Sequence, residues 1–276
     1  MVWRCGDVWL KASTDGREAR ERAVRVLDQL DGMGRLSFPT FLRNADGRCI
    51  VERGGYCWTA ETALIGRHPD PNHEADYAEA WSAIATLHET FRALEVPFIS
   101  TSIVTELHDG LETLAPKLRS RYSIFDSSAA LLDAELSWIE TWKAQIIHGD
   151  LSHPNILLSA ENGHGFIDFE FISRDPIEFD YATIVTTLLV RSDLDRLRKK
   201  SILADLLGTL GIDHARIFIA TLARRWLATA ANLTHAQGTN VDVLARQLTH
   251  LEEIAPLAER ALGYRDQSAR RQRTKP

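Results

Sequence analysis

Cysteine is scarce in this chain of 276 residues, and long apolar runs are missing. The three cysteines, Cys5, Cys49 and Cys57, lack the spacing of a metal site, and their odd number indicates free thiols. No apolar run approaches the roughly 20 residues that span a bilayer. The first residues also lack the apolar stretch of a signal peptide. We therefore expect a cytoplasmic protein with no membrane partner.

Positive charge is not in excess. Lysine and arginine together number 32 against 38 acidic residues, which gives a net charge of −6. Because nucleic-acid binding requires a basic face, we expect no nucleic-acid partner. A hydrophobic fraction of 45% and a charged fraction of 25% are ordinary for a globular protein. The length suffices for two lobes that share a cleft, and nothing in the sequence indicates an oligomeric state.

The most informative feature is a pair of polar motifs between apolar segments. Residues 148–155 read H-G-D-L-S-H-P-N, and residues 166–170 read F-I-D-F-E. Asp150 and Asn155 lie on one short loop, so both side chains can enter a single cleft. This is the layout that a kinase uses: Asp150 would accept the proton of an acceptor hydroxyl, while Asn155 and Asp168 would bind Mg²⁺.

Two short apolar segments, 155–158 and 165–167, are predicted to form a hairpin. Such a hairpin would return Asp168 to the loop that carries Asn155. The alternative is that the polar residues of these motifs only cap a turn and end a strand. That alternative suits each residue alone, whereas the joint spacing favours the functional interpretation.

With these motifs the chain resembles the aminoglycoside phosphotransferase and choline kinase family, the small-molecule relatives of protein kinases. Gly149 stands where protein kinases carry arginine, and Phe-Asp-Tyr-Ala at 179–182 is also typical of the family. The resemblance implies an α+β, two-lobed protein-kinase-like fold with a small β-rich N-lobe and a larger, mainly helical C-lobe. It also implies ATP or GTP as donor, Mg²⁺, and an aminoglycoside, amino-alcohol, homoserine or sugar as acceptor.

The resemblance assigns individual roles as well. Asp150 is the catalytic base, and Asn155 and Asp168 are the metal ligands. Asp180 would support the catalytic loop, and His148 would pack beneath the metal-binding aspartate and orient it.

Glu170 stands where protein kinases have the glycine of their Asp-Phe-Gly motif. The chain also leaves no room for an activation loop between Asp168 and Asp180. The acceptor is therefore expected to be a small molecule. Acidic residues that could suit a cationic acceptor are Glu170, Asp175, Glu178, Glu252, Glu253 and Glu259. For the last three the alternative is a solvated helix face.

A lysine near the N-terminus fits the kinase pattern. Lys11 ends a short apolar run and would contact the α- and β-phosphates. A helix is predicted over 14–30, and either Glu21 or Glu18 on it would pair with Lys11. The alternative is a surface lysine at a strand end.

The first strand and the glycine-rich loop of a kinase N-lobe are missing before Lys11. Three explanations are open: a natural start upstream of Met1, a trimmed lid over the phosphates, or impaired ATP turnover. The last explanation supports a second hypothesis, a nucleotide-binding pseudo-kinase with a regulatory role.

The chain is predicted to divide into an N-terminal nucleotide-binding lobe and hinge at 1–66, a catalytic and acceptor-binding lobe at 67–263, and a flexible basic tail at 264–276. In the first lobe, 40–43 and 48–52 are predicted to form a hairpin around the turn 44–47. By the resemblance, the hinge lies at 61–64, where main-chain groups of Glu61 and Ala63 would bind the adenine edge. The alternative is an edge strand that leads into a loop.

Overall fold

The computed structural model describes residues 1–14, 16–33, 36–94, 102–118, 122–161, 163–234 and 241–273. The chain forms two compact units. The first unit comprises Met1–Thr101 and Gln145–Arg174, and the second comprises Ser102–Ala144 and Asp175–Pro276. The first unit is discontinuous in sequence, since both polar motifs belong to it together with the N-terminal sheet. The lobe boundary predicted near residue 66 stays a prediction.

The helices and strands follow one another in the order of a sheet-rich start and a helical remainder. Up to residue 94 they are β1 (Val2–Cys5), β2 (Val8–Ser13), α1 (Arg17–Leu30), β3 (Ile50–Arg53), β4 (Tyr56–Thr62) and α2 (Glu74–Arg92). Next come α3 (Ile103–Thr113), α4 (Ala115–Leu118), α5 (Ser123–Ile139), β5 (Ala144–Ile147), β6 (Ile156–Leu157), β7 (Gly165–Phe166) and β8 (Ser173–Pro176). The last are α6 (Glu178–Thr186), α7 (Arg196–Leu210), α8 (His214–Thr234) and α9 (Val241–Arg273).

The N-terminal sheet is antiparallel, with the strand order β1-β2-β4-β3. The predicted hairpin between 40–43 and 48–52 is wrong. β3 pairs with β4 instead, through a tight turn at Gly54 and Gly55, which both have positive φ. Two consecutive glycines favour the hairpin turn whose twist matches that of the strands, and this turn determines the pairing. The segment at Thr40 lies beside the second half of β4, where its carbonyl accepts from the N–H of Thr62 at 3.0 Å.

Strand β4 has one buried face, and that face is polar. Cys57, Thr59 and Glu61 are buried, whereas the residues between them are half-buried. Lys11 of β2 lies opposite Thr59 in the register. Because alternate residues of a strand share a face, Glu61 lies on the same side of the sheet as Lys11.

The second unit has its core among α5, α6 and α8. Trp226 of α8 is fully buried and stacks on Phe125 of α5, with ring centroids 5.0 Å apart. Gly110 of α3 packs against the same indole, since an added Cβ would come within 3.0 Å of it. This close approach explains a glycine inside a helix, where the residue otherwise lowers stability.

Helix α9 continues beyond residue 264, where the sequence predicted a tail without regular structure. Arg265 accounts for the difference. Its guanidinium bonds Glu135 at 2.8 Å and lies 4.2 Å from the ring centre of Trp138. A charged contact and a cation–π contact anchor this turn of the helix, although the sequence there lacks an apolar stripe.

Within the described ranges, no single helix is long and apolar enough to cross a membrane. One pair of helices bent by 115°, Arg196–Thr209 with His214–Thr234, reaches the necessary length and apolar composition only when the two are taken together. The three cysteines are free thiols, as predicted.

Candidate active site

The first polar motif forms a tight loop between β5 and β6. A single 3₁₀ turn, His153–Asn155, closes it. The Nδ2 of Asn155 donates to the main-chain oxygen of Asp150 at 2.9 Å and to its carboxylate Oδ2 at 3.0 Å. The structure therefore brings together the two residues that the sequence assigns to base and metal ligand.

Ile167 links this loop to the second motif through both of its peptide groups. Its N–H donates to the carbonyl of Asn155 at 3.0 Å. Its carbonyl accepts from Nε2 of His148 at 2.9 Å, and Nδ1 of His148 accepts from the N–H of Asp150 at 3.3 Å. The two contacts of the imidazole require the proton on Nε2. The predicted hairpin of β6 and β7 is confirmed, with Ile156 opposite Phe166.

Gly149 has a backbone conformation that other residues would strain. Its φ is 81°, and an added Cβ would lie 2.0 Å from the carbonyl oxygen of Phe171. A contact this short is possible only for glycine. Gly149 therefore lets the loop lie directly against the chain that follows Asp168.

Asp168 is the only non-glycine residue with positive φ among the described parts of the chain, with φ 68° and ψ 57°. A non-glycine residue in this region stores strain and often marks a functional site. Phe169 is buried and lies 4.6 Å from the ring of His148. The Asp168 side chain itself is 38% exposed, so a ligand can reach it.

Lys11 is held between two carboxylates. Its Nζ lies 2.6 Å from Glu61 Oε1 and 3.3 Å from Asp168 Oδ1. Burial lowers the pKa of Lys11, but the attraction of the two carboxylates outweighs it, and the pKa is raised. Burial raises the pKa of Glu61, against the opposing effect of Lys11. The ammonium is therefore fixed next to Asp168.

The partner of Lys11 is not the residue that the sequence predicted. Glu21 bonds Arg17 at 2.9 Å, and Glu18 bonds Arg22 at 3.1 Å. A helix turns by about 100° per residue, and the face of α1 directed at the sheet is set by other positions. The acid comes from Glu61 on the neighbouring strand.

Arg20 was not predicted as a site residue, yet it is only 4% exposed and lies at the sheet face. Its Nη1 donates to Thr59 Oγ1 at 2.5 Å, and its Nη2 lies 3.0 Å from Glu170 Oε1. One signal was available: Arg20 shares the helix face of Ala23, Leu27 and Leu30, all of them buried. A charged residue on an apolar stripe calls for a buried partner.

The predicted hinge is partly engaged within the sheet. The N–H of Ala63 donates to the carbonyl of Asp7 at 2.8 Å, and the side chain of Glu61 bonds Lys11. Any adenine contact at 61–64 must therefore use groups other than the N–H of Ala63. The assignment of Glu61 and Ala63 to adenine binding stays a prediction.

The ligand atoms at Asn155 and Asp168 fit Mg²⁺. With Nδ2 of Asn155 donating to Asp150, its Oδ1 is the atom left for a metal. One amide oxygen and one carboxylate are hard oxygen donors, and Mg²⁺ usually takes few protein ligands plus phosphates and water. Among the described residues, no group of three or more His, Cys, Asp or Glu could hold a metal ion.

Several acidic residues considered for the acceptor are already paired. Asp175 is fully buried and accepts from Ser102 Oγ and from the N–H of Ile103, both at 2.7 Å. Glu178 is buried and bonds Arg216 at 2.9 Å. Glu252, Glu253 and Glu259 are exposed, in keeping with the solvated helix face.

Comparisons with known proteins agree with this geometry. The model of the phosphotransferase enzyme family (APH) matches residues 4–218. Homoserine kinase of Methylobacillus flagellatus is 24% identical over 223 residues, which cover 72% of this chain and 67% of that protein.

Among solved structures, a microcompartment-associated aminopropanol kinase has a TM-score of 0.69 at 19% identity and covers 95% of this chain and 89% of its own. The GDP and kanamycin complex of APH(2")-IIia has a TM-score of 0.65 at 17% identity, covering 91% of this chain and 87% of its own. These likenesses confirm the predicted kinase-like fold. The chain therefore belongs to the phosphotransferase enzyme family, as its motifs predicted, and is a small-molecule kinase.

Proposed function

We propose that this kinase transfers the γ-phosphoryl group of ATP to a hydroxyl of a small molecule. The observation that carries the proposal is the chain of contacts that joins Asp150, Asn155 and Asp168. Asn155 bonds the Asp150 carboxylate at 3.0 Å, and the residue before Asp168 bonds Asn155 at 3.0 Å. These contacts support a base at Asp150 and oxygen ligands at Asn155 and Asp168, the groups that phosphoryl transfer to a hydroxyl requires.

Each residue has one task in this scheme. Asp150 accepts the proton of the hydroxyl whose oxygen attacks the γ-phosphorus, and the bond from that phosphorus to the ADP oxygen breaks. Asn155 and Asp168 would hold Mg²⁺, which when bound would neutralise charge on the phosphates. Lys11 contacts the α- and β-phosphates beside Asp168. The chain acts by positioning and by charge stabilisation.

For the acceptor we propose a small alcohol that carries one amino group, either homoserine, the first compound to test, or an amino-alcohol. The support is that one relative is a homoserine kinase and one structural neighbour is an aminopropanol kinase. A polycationic acceptor has less support, because Glu170, Asp175 and Glu178 are already engaged within the protein.

Acceptor-dependent release of ADP or GDP tests the proposal. The protein is assayed with ATP or GTP and Mg²⁺ against homoserine, other amino-alcohols, sugars and aminoglycosides. Release with one acceptor class, and its loss in Asp168→Ala, is the expected result. Nucleotide binding without release for any acceptor would favour the regulatory pseudo-kinase instead. Full activity of Asp168→Ala would contradict the metal assignment.

A further inference from the structure

The acid that pairs with the strand lysine comes from a neighbouring strand in this chain, and the following helix carries an arginine at the sheet instead. In protein kinases, the lysine of the strand pairs with a glutamate on the helix that follows it. Here that helix, α1, presents Arg20 to the sheet, and the acid that bonds Lys11 is Glu61 of β4. Lys11 and Glu61 lie on one face of two adjacent strands, so their contact needs nothing from α1.

Arg20 makes a second pair with the other end of the site. Its guanidinium bonds Glu170, two residues after Asp168, at 3.0 Å and Thr59 at 2.5 Å. Thr59 lies opposite Lys11 in the pairing of β2 with β4, so Arg20 connects these two strands to the turn that carries Asp168. Breaking an ion pair that contains a buried guanidinium is costly, because the charge left behind has no partner to compensate it.

We infer that Glu61 and Arg20 are positioning residues that divide between them the task of one ion pair. Glu61 fixes the Lys11 ammonium for the phosphates. Arg20, through Glu170, fixes the strained turn that carries Asp168 for the metal. The inference rests on the proposed phosphoryl transfer and adds to it two residues of the same site.

The two roles have separate signatures in nucleotide binding. Loss of Glu61 leaves Lys11 to bond Asp168 alone, so both Mg·ATP and metal-free ATP should bind less tightly. Loss of the Arg20–Glu170 pair loosens the turn of the metal ligand. The Mg²⁺ concentration required for half-maximal binding should then rise, while the affinity for metal-free ATP stays unchanged. At Arg20 and Glu170, a merely structural role would change both affinities together; at Glu61, it would leave Glu61→Asp no better than Glu61→Gln.

For Glu61, the affinity of Glu61→Gln for Mg·ATP and for metal-free ATP is measured by titration calorimetry. We expect each to fall about tenfold, which is about 1.4 kcal/mol, with partial recovery in Glu61→Asp. The matched control is Glu52→Gln, an exposed glutamate at β3 that should match the parent protein. Unchanged affinities in a folded Glu61→Gln sample would overturn the role of Glu61.

For the second pair, Arg20→Met, Glu170→Gln and the double variant are compared. Residues that act as one unit give a double variant no worse than the worse single variant. We expect a rise of about tenfold in the Mg²⁺ requirement in all three, with Glu170→Gln as the variant least disturbing to the fold. Additive effects, or an unchanged Mg²⁺ requirement in Glu170→Gln, would overturn the role of Arg20.

The control for this cycle is the exposed pair of Arg17 and Glu52, which also joins α1 to the sheet, at 2.8 Å. Arg17→Met, Glu52→Gln and their double variant should retain the parent Mg²⁺ requirement, since exposed ion pairs contribute little. Because binding is measured without an acceptor, the outcome is separate from that of the proposed reaction. Mg·ATP binding by the parent protein without turnover would reject phosphoryl transfer alone, whereas no binding of Mg·ATP would reject both.

Discussion

His148 donates its Nε2–H to the carbonyl oxygen of Ile167 at 2.9 Å. Since Ile167 immediately precedes Asp168, the imidazole joins the loop of Asp150 to the turn of Asp168. The N–H of Ile167, which bonds Asn155 at 3.0 Å, completes the connection. The main-chain N–H and carbonyl of Ile167 therefore fix the two motifs relative to each other.

Asp150→Asn tests the base. An asparagine oxygen can still accept the hydrogen bond from Asn155, so the loop should keep its shape. We expect kcat to fall by about 10²–10⁴-fold, the usual contribution of a positioned base, while the affinity for Mg·ATP is retained. Steady-state kinetics measure this, with the acceptor that supports nucleotide diphosphate release in the assay proposed above. Full activity in the variant would show that another group takes the proton.

Gly149→Ala tests the close approach of the loop to Phe171. The new Cβ would lie 2.0 Å from the Phe171 oxygen, and the φ of 81° adds strain. We expect a lower melting temperature and activity reduced by more than about 10²-fold, because displacements near 1 Å at a catalytic site cost that much. Gly54→Ala has a φ of 63° and open space around it, and so isolates the cost of the backbone conformation. Equal behaviour of the two variants would contradict the steric argument.

Asp76→Asn tests a buried ion pair at the start of α2. The hydrogen bonds from Arg67 are the main cause that holds the pKa of the Asp76 carboxyl well below 3.8. A lowered carboxyl pKa gives stability that is present above about pH 4 and is lost as the pH falls. We expect the variant to lose about 1.5–3 kcal/mol relative to the parent protein at pH 7, and the difference to shrink steadily as the pH falls from about 4 to about 2. Chemical unfolding at pH 7, 4 and 2 measures this, and a difference of the same size at all three pH values would be inconsistent with the pair.

The matched control for that experiment is Glu74→Gln, because Glu74 is an exposed acid in the first turn of the same helix. Its effect on the free energy of unfolding should be within about 0.5 kcal/mol at either pH.

His250→Gln tests a neutral histidine in the second unit. Burial, followed by the charges of Arg225, Arg191 and Arg246, lowers the pKa of His250 to about 4. A histidine with a lowered pKa contributes stability above its unfolded pKa of 6.5, and that stability is lost between pH 6.5 and 4. Between pH 7.5 and 4.5, we expect the melting temperature of the parent protein to fall by more than that of His250→Gln. The exposed His214→Gln should follow the parent protein, and parallel curves for all three would refute the assignment.

The residues that the sequence could locate are those close together along the chain. Asp150, Asn155 and Asp168 lie within two short motifs, and a hairpin with one register brings them together. Spacing alone determines that arrangement, so it could be predicted. The same holds for Lys11 as a site residue, because its strand has a short apolar pattern.

The partners of these residues depended on pairing between distant segments. Glu61 contacts Lys11 only because β2 and β4 are neighbours in one register, and that register was not predicted. The alternation of β4, with polar residues on its buried face, is the signal that could have indicated it. Helix periodicity also predicted α1, but an acidic partner was sought on it where the buried charged side chain is Arg20.

The division of the first unit into Met1–Thr101 and Gln145–Arg174 has a consequence for synthesis. The sheet leaves the ribosome well before the segments that carry His148 and Asp168, so the unit cannot be completed while the intervening residues are still being translated. A fragment that ends at Thr101 would therefore contain Lys11 and Glu61 without Asp150, Asn155 or Asp168. Two separately produced fragments, 1–101 and a piece that contains 145–174, would have to find each other by complementation.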